Sequence, residues 1–268
     1  MQLKLAFSPC PNDTFMFAAM VHGLTDTEGL VFDYVMEDVE TLNHLAMEGA
    51  MDMIKVSYHA YLFLTSRYRL LNSGSALGFG NGPLLITHKN HDVEKLKDFI
   101  VALPGEFTTA HLLFRLAFPL IHKKVFMRFS DIENAILEGK VDAGVIIHEN
   151  RFTFEQKELI KLLDLGEFWE STTHAPIPLG GIVIRKGLGS DITEKLERVM
   201  HRSVVFARSH PEEVMPFVRC HAQEMDEEVM KKHIQLYVND FSVSLGTTGK
   251  KAVELLFRIA KEKGLIDY

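Results

Sequence analysis

Histidine is the side chain whose ordinary pKa, about 6.5, lets it take up and return a proton near neutral pH. His148 stands directly after the apolar run Ala143-Gly144-Val145-Ile146-Ile147 and before Glu149-Asn150-Arg151. In that setting it is a candidate general base. The plainer alternative is a histidine that only closes a strand, and most of the chain's 13 histidines must be of that kind. Three further places put short polar side chains after an apolar strand and at or before a helix start: Ser8 with Asn12, Lys55 with Ser57, and Thr108 with Thr109. Free backbone N–H groups and the helix dipole suit such starts to anions, carboxylates above all. Read locally, the same residues are only helix caps. Convergence of all four strand ends on one cleft is what would separate the two readings.

Other chemistries fail on spacing. No second histidine follows His148-Glu149 at the interval a zinc helix needs, and no G-x-S-x-G elbow occurs. Gly78-Phe79-Gly80-Asn81-Gly82 lacks the dinucleotide spacing, precedes a strand, and is not followed by G-K-[ST]; it reads as a flexible hinge-side loop. Cys10 sits between Pro9 and Pro11. It is either a nucleophile near a helix start, where a thiol pKa falls, or part of a rigid turn. Tyr58, His59, Tyr61 and Phe63 form an aromatic stripe whose default is core packing.

The elements that must position these residues follow a strand-then-helix rhythm. Strands are expected at 3–7, 31–36, 51–56, 84–87, 99–103, 125–129, 143–147 and 182–184. Helices are expected at 14–21, capped by Asn12 or Asp13, and at 39–47, 58–64, 108–117 and 131–137. From Ser190 onward the apolar spacing is helical. This is an α/β pattern with mixed, mostly parallel sheets and flanking helices. The strands at 84–87 and 182–184 bracket a middle unit. The division expected is a larger discontinuous lobe, 1–87 plus 182–268, and a smaller inserted lobe, 88–181. Two crossings of this kind make the plan of bilobed binding proteins, which close on ligands by a hinge. In open α/β sheets the ligand lies outside the carboxyl ends of the strands, where the polar residues above fall.

Composition bounds the rest. At 268 residues and 47% hydrophobic, the chain is too long for one ordinary core and apolar enough to bury two. Lys plus Arg number 29 against 36 Asp plus Glu, a net charge of −7, and no long basic run occurs, which argues against a nucleic-acid partner. No stretch approaches the roughly 18 apolar residues of a membrane helix, and no basic-then-apolar leader opens the chain. Two cysteines, Cys10 and Cys220, exclude a disulfide framework and any CxxC site. The expectation is a cytoplasmic protein with a small-molecule carboxylate substrate, no nucleic acid and no membrane. Nothing in the pattern speaks to oligomeric state.

The residues also carry a resemblance. Ser8-Pro9-Cys10-Pro11-Asn12-Asp13-Thr14-Phe15 resembles the opening motif of the 1,4-dihydroxy-6-naphthoate synthase family, part of the futalosine route to menaquinone. The likeness continues in order through Glu37-Asp38-Val39-Glu40-Thr41-Leu42-Asn43, Lys55-Val56-Ser57-Tyr58, residues 74–83, and Pro104-Gly105-Glu106-Phe107-Thr108-Thr109-Ala110. Ile146-Ile147-His148-Glu149-Asn150-Arg151-Phe152-Thr153, Asp164-Leu165-Gly166, Trp169-Glu170 and Pro178-Leu179-Gly180-Gly181 extend it over nearly the whole chain. It departs at Thr173-His174-Ala175-Pro176, where the family typically reads Thr-Gly-Leu-Pro.

The resemblance implies a two-lobed periplasmic-binding-protein-like (type II) fold with an interlobe cleft. It implies a carbon–carbon lyase that splits cyclic dehypoxanthinyl futalosine into 1,4-dihydroxy-6-naphthoate and a three-carbon fragment, with neither metal nor organic cofactor. Residue by residue, it makes Lys55-Val56-Ser57 one substrate-binding segment, Thr108-Thr109 a second, and His148 the proton acceptor; the strand-end reading above, not the resemblance, adds Ser8 and Asn12 to the substrate side. Three rivals stand beside it. A solute-binding protein of the same fold should carry an export signal and no placed base. Chorismate dehydratase, a related fold in the same pathway, should lack the opening motif combined with this His148 setting. A non-enzymatic interaction module leaves the four polar strand ends unexplained.

Overall fold

The computed structural model describes residues 1–89, 91, 93–222 and 226–266. The chain opens with β1 (Gln2–Phe7), α1 (Pro11–Val21), β2 (Val31–Met36), α2 (Val39–Glu48), β3 (Met53–Ser57) and α3 (Tyr58–Leu64). Short strands β4 (Tyr68–Leu70) and β5 (Ala76–Gly78) follow. It then crosses into β6 (Leu84–His88), β7 (Val101–Leu103), α4 (Thr109–Ala117), β8 (Lys124–Phe126), α5 (Ile132–Leu137), β9 (Ala143–Ile146), β10 (Leu159–Asp164) and α6 (Leu165–Thr173). It returns along β11 (Ile177–Arg185) to α7 (Ser190–Ser209), α8 (Pro211–His221), α9 (Glu227–Tyr237), α10 (Asp240–Val243) and α11 (Gly246–Glu262).

Two mixed sheets result. The first runs β2-β1-β3-β11-β4, with β5 paired to β11, and the second runs β10-β6-β9-β7-β8. β1 is parallel to β2 and β3, and β7 is parallel to β8 and β9. β11 and β6, the two strands laid down at the crossings, run antiparallel to every partner they have. Antiparallel pairing is therefore more prominent than the strand-then-helix rhythm suggests, because that rhythm does not fix the direction of the strands laid down at the crossings. Leu84–His88 stands in the second sheet, and Ile177–Arg185 lies wholly in the first. The strands thus put both crossings a few residues earlier than 87/88 and 181/182. The first passage runs close against the start of α6: a Cβ on Gly82 would collide with the backbone of Gly166, so only glycine fits there.

The apolar interior does not divide where the sheets do. One core packs α1, β1, α7 and α8 through Phe7, Phe17, Met16, Val199, Val204 and Val214. Another joins Tyr58, Leu62 and Leu77 of the first unit to Leu103, Phe114 and Trp169 of the second and to Leu245 and Leu256 near the carboxyl end. The two units thus share one apolar core. Among the described residues no helix is long and apolar enough to cross a membrane.

Candidate active site

Parallel strands in one sheet deliver their carboxyl ends to the same edge. β1 and β3 end together in the first sheet, β7 and β9 in the second, and the two edges face one cavity of about 90 Å³. Ser8, Asn12, Lys55, Val56, Ser57, Thr108, Thr109 and His148 all line it. Asp13, expected from the sequence only as a helix cap, lines it too, as do Asn81 and Tyr237, which the sequence reading does not single out.

Asp13 organises the first edge. Helix α1 begins at Pro11, with Cys10 in the capping position and no side-chain cap bond. Proline is favoured at that first position, which moves the start ahead of the expected Asn12 or Asp13 cap. Asp13 therefore falls in the first turn and faces inward. Its carboxylate accepts from Lys55 Nζ at 2.8 Å, Ser8 Oγ at 2.8 Å, Asn12 Nδ2 at 2.9 Å and the Ser8 backbone N–H at 3.3 Å. Asp13 and Lys55 are both nearly fully buried, so the pair is held away from water. The Lys55 charge is matched within the protein, and the cavity wall offers a ligand neutral donors as well as this neutralised pair.

Ser57 is fixed by Asn43 of α2. The Asn43 amide accepts from the Ser57 N–H at 2.9 Å and donates to Ser57 Oγ at 3.3 Å. Thr108 is a true helix cap: its hydroxyl accepts from the His111 N–H at 3.2 Å and donates to the Gly105 carbonyl at 2.9 Å. The Thr109 hydroxyl donates to the Leu179 carbonyl at 2.7 Å and accepts from the His59 N–H at 3.3 Å, a bond across the two units. Both threonine hydroxyls are committed to protein, so the cap reading holds for Thr108. What the second edge turns toward the cavity is the amino-terminal turn of α4, with Ala110 also in the wall.

His148 has a left-handed backbone, φ 58°, and starts the 3-10 turn His148–Phe152. Its ring packs edge-on to Phe129 at 4.9 Å and near-parallel to His233 at 6.1 Å. Nε2 is buried and has no hydrogen-bond partner among the described residues. Burial pushes the His148 pKa down to about 4; Asp13 opposes this and Lys55 adds to it. The imidazole is therefore neutral at pH 7 and keeps a lone pair.

Three side chains were missed because their meaning is tertiary. Asn81, in the loop read as a hinge, is fully buried, and neither amide atom has a partner among the described residues. His233 lies on the buried stripe Met230, His233, Ile234, Tyr237 of α9, and a histidine inside such a stripe was the available signal. Its Nε2 meets Asn12 Oδ1 at 2.9 Å. Burial, followed by the charges of His148 and Lys55, holds its pKa well below the usual value. Glu149, 6% exposed, lies with Oε2 3.9 Å from His233 Nδ1. Cys10 is buried, and that burial pushes its thiol well up, which removes the nucleophile reading; Cys10 and Cys220 are both free thiols.

The profile of the family described as menaquinone biosynthesis matches residues 3–262. A 1,4-dihydroxy-6-naphthoate synthase of Thermus thermophilus is 43% identical over 263 residues, which cover 98% of this chain and 95% of that protein. A crystal structure of an Archaeoglobus fulgidus protein superposes with a TM-score of 0.93 at 35% identity, covering 99% of this chain and 98% of that one. The periplasmic aliphatic sulphonate binding protein of Escherichia coli superposes with a TM-score of 0.64 at 12% identity, over 99% and 88% of the two chains, a likeness of fold alone.

Proposed function

The chain belongs to the menaquinone-biosynthesis family, and from that premise we propose that it is a 1,4-dihydroxy-6-naphthoate synthase, a lyase that cleaves cyclic dehypoxanthinyl futalosine to the naphthoate and a three-carbon fragment. The observation that carries this reading is His148: a neutral imidazole with an unpartnered nitrogen, at the wall of the one cavity where four strand ends meet. Ring cleavage that ends in an aromatic product needs a base to start it, and aromatisation then drives it forward. A single placed base contributes about 10²–10⁴-fold.

In this reading the substrate carboxylate lies against the amino-terminal turn of α4, where the capped helix supplies N–H dipoles. Ser57, held by Asn43, faces the ring system, and the Asn81 amide offers one donor face and one acceptor face to substrate hydroxyl or carbonyl groups. The cavity of about 90 Å³ is smaller than the roughly 300–1,000 Å³ of ordinary ligand pockets, so binding requires a wall to move. The shared apolar core disfavours movement on its own side, which leaves the His148–Phe152 turn against α9 as the wall that yields. Reclosure would shut water out of the reaction.

The test is direct. Purified protein incubated with cyclic dehypoxanthinyl futalosine is expected to develop the naphthoate absorbance, and chorismate is expected to remain unchanged. No naphthoate, or dehydration of chorismate, would overturn the assignment.

A further inference from the structure

At the His148 end of the cavity, side chains that the proposed reaction does not use gather around the base. Cys10 Sγ, a ring nitrogen of His148 and a carboxylate oxygen of Glu149 all lie within 4.8 Å of one another. Cys10 is 4% exposed, and His233, beside them, is fully buried. His233 Nδ1, which approaches Glu149 Oε2 at 3.9 Å, has no hydrogen-bond partner among the described residues, and neither has His148 Nε2. Two imidazole nitrogens, a thiol and a carboxylate make up a zinc protein's ligand repertoire. They exclude the hard cations Mg²⁺ and Ca²⁺, which take oxygen ligands.

The charge and the outer contacts agree. A thiolate and a carboxylate together balance a divalent cation, which is what a buried site needs. Of the nearby positive charges, Lys55 is already paired with Asp13 at 2.8 Å and Arg151 with Asp164 at 3.3 Å. The orientation of His233 is fixed from outside: Asn12 Nδ2 donates to Asp13, so Asn12 Oδ1 is the acceptor that meets His233 Nε2, and Nδ1 keeps the lone pair turned toward Glu149. Such an outer partner is what orients a metal-binding histidine. Tetrahedral ligands at zinc distances stand about 3.3–3.8 Å apart, so the group must contract by roughly 1 Å to close on an ion.

We propose that Cys10, His148 and Glu149, with His233 as the fourth group, form a binding site for a thiophilic divalent cation, Zn²⁺ by its donor set. Occupancy inhibits the enzyme, because the ion takes the His148 lone pair. On binding, the Cys10 S–H bond breaks, its proton leaves to solvent, and the sulfur electron pair bonds the cation; nothing is oxidised or reduced. The inhibition rests on the lyase reading, whereas the binding does not.

The experiment uses the full chain carrying Cys220→Ser, which removes the one exposed thiol. Titration with Zn²⁺ by calorimetry is expected to give one cation per chain with release of a proton, reversed by chelator, and no response to Mg²⁺. Co²⁺ is expected to show a thiolate charge-transfer band. Cys10→Ser is expected to lose the band and weaken Zn²⁺ binding at least 100-fold, beyond the 10–100-fold typical of an outer partner. Should Cys10→Ser melt before the assay temperature, Glu149→Gln in the Cys220→Ser chain is expected to show the same weakening. Absence of binding, or binding unchanged by the variant that folds, overturns the site. Zn²⁺ that binds without slowing turnover overturns the place of His148 in it. A chain that binds Zn²⁺ but makes no naphthoate fails the lyase reading and leaves the metal site standing.

Discussion

Replacing His148 by asparagine isolates the base. The residue sits at φ 58°, a region that most side chains avoid but that asparagine, like histidine and aspartate, enters comparatively readily, so His148→Asn keeps the backbone that starts the 3-10 turn. Alanine would confound loss of the base with strain in that turn. The asparagine amide cannot accept a proton at neutral pH. The loss expected in kcat is therefore the general-base contribution, about 10²–10⁴-fold, or roughly 3–5 kcal/mol in the barrier. Substrate affinity is expected to change little, because no bond from His148 Nε2 to protein is lost and the anion contacts lie at α4. The wild-type pH profile gives an independent check of the same group. Protonation disables a base, and burial holds His148 near 4. The acid limb of kcat/KM should then lie near 4, with no inflection at the ordinary histidine value of about 6.5. Steady-state rates from naphthoate absorbance across this range, with substrate affinity measured by calorimetry on His148→Asn, decide the matter. Full activity in the variant, or an acid limb at 6.5 that the variant retains, refutes the reasoning.

Asn81→Leu removes a buried amide with no partner among the described residues, so the free protein should gain about 1–3 kcal/mol by denaturant unfolding while its affinity for the naphthoate falls; lowered stability with unchanged affinity would contradict the reading. For the buried pair, Asp13→Asn and Lys55→Met should each cost about 3–5 kcal/mol, because each strands its partner, and the double variant should lose less than the sum by about 2–3 kcal/mol. Additive losses within about 0.5 kcal/mol would mean that the two are not coupled. Thr108→Val should cost about 1 kcal/mol by loss of the α4 cap and raise KM together with it, whereas Thr108→Ser retains both hydrogen bonds and both properties; an unchanged KM in Thr108→Val would remove α4 from the anion site.

How far the sequence could be read depends on whether a residue's meaning is local. His148, Ser57 and Thr108 were legible because a strand end followed by a helix start is a short-range pattern, and parallel pairing then carries such ends to one edge. Asp13 was legible only as a cap, since its role as the acceptor for Lys55 depends on β3 lying 42 residues away. Asn81 lay within a glycine-rich loop whose composition argues for flexibility, yet it is fully buried, and no spacing rule marks a buried amide without a partner. The expected hinge shows the same limit more sharply. Two crossings in sequence do imply an inserted unit, but whether that unit can swing depends on what is buried between it and its host. Here Tyr58, Trp169 and Leu256 belong to one core. A burial of that kind couples the units on one side of the cleft and concentrates any opening at the other, where His148 meets His233. The base and the wall that must move to admit substrate are then the same segment, so a ligand that holds this segment closed, whether substrate or cation, controls the state of the base as well as access to it.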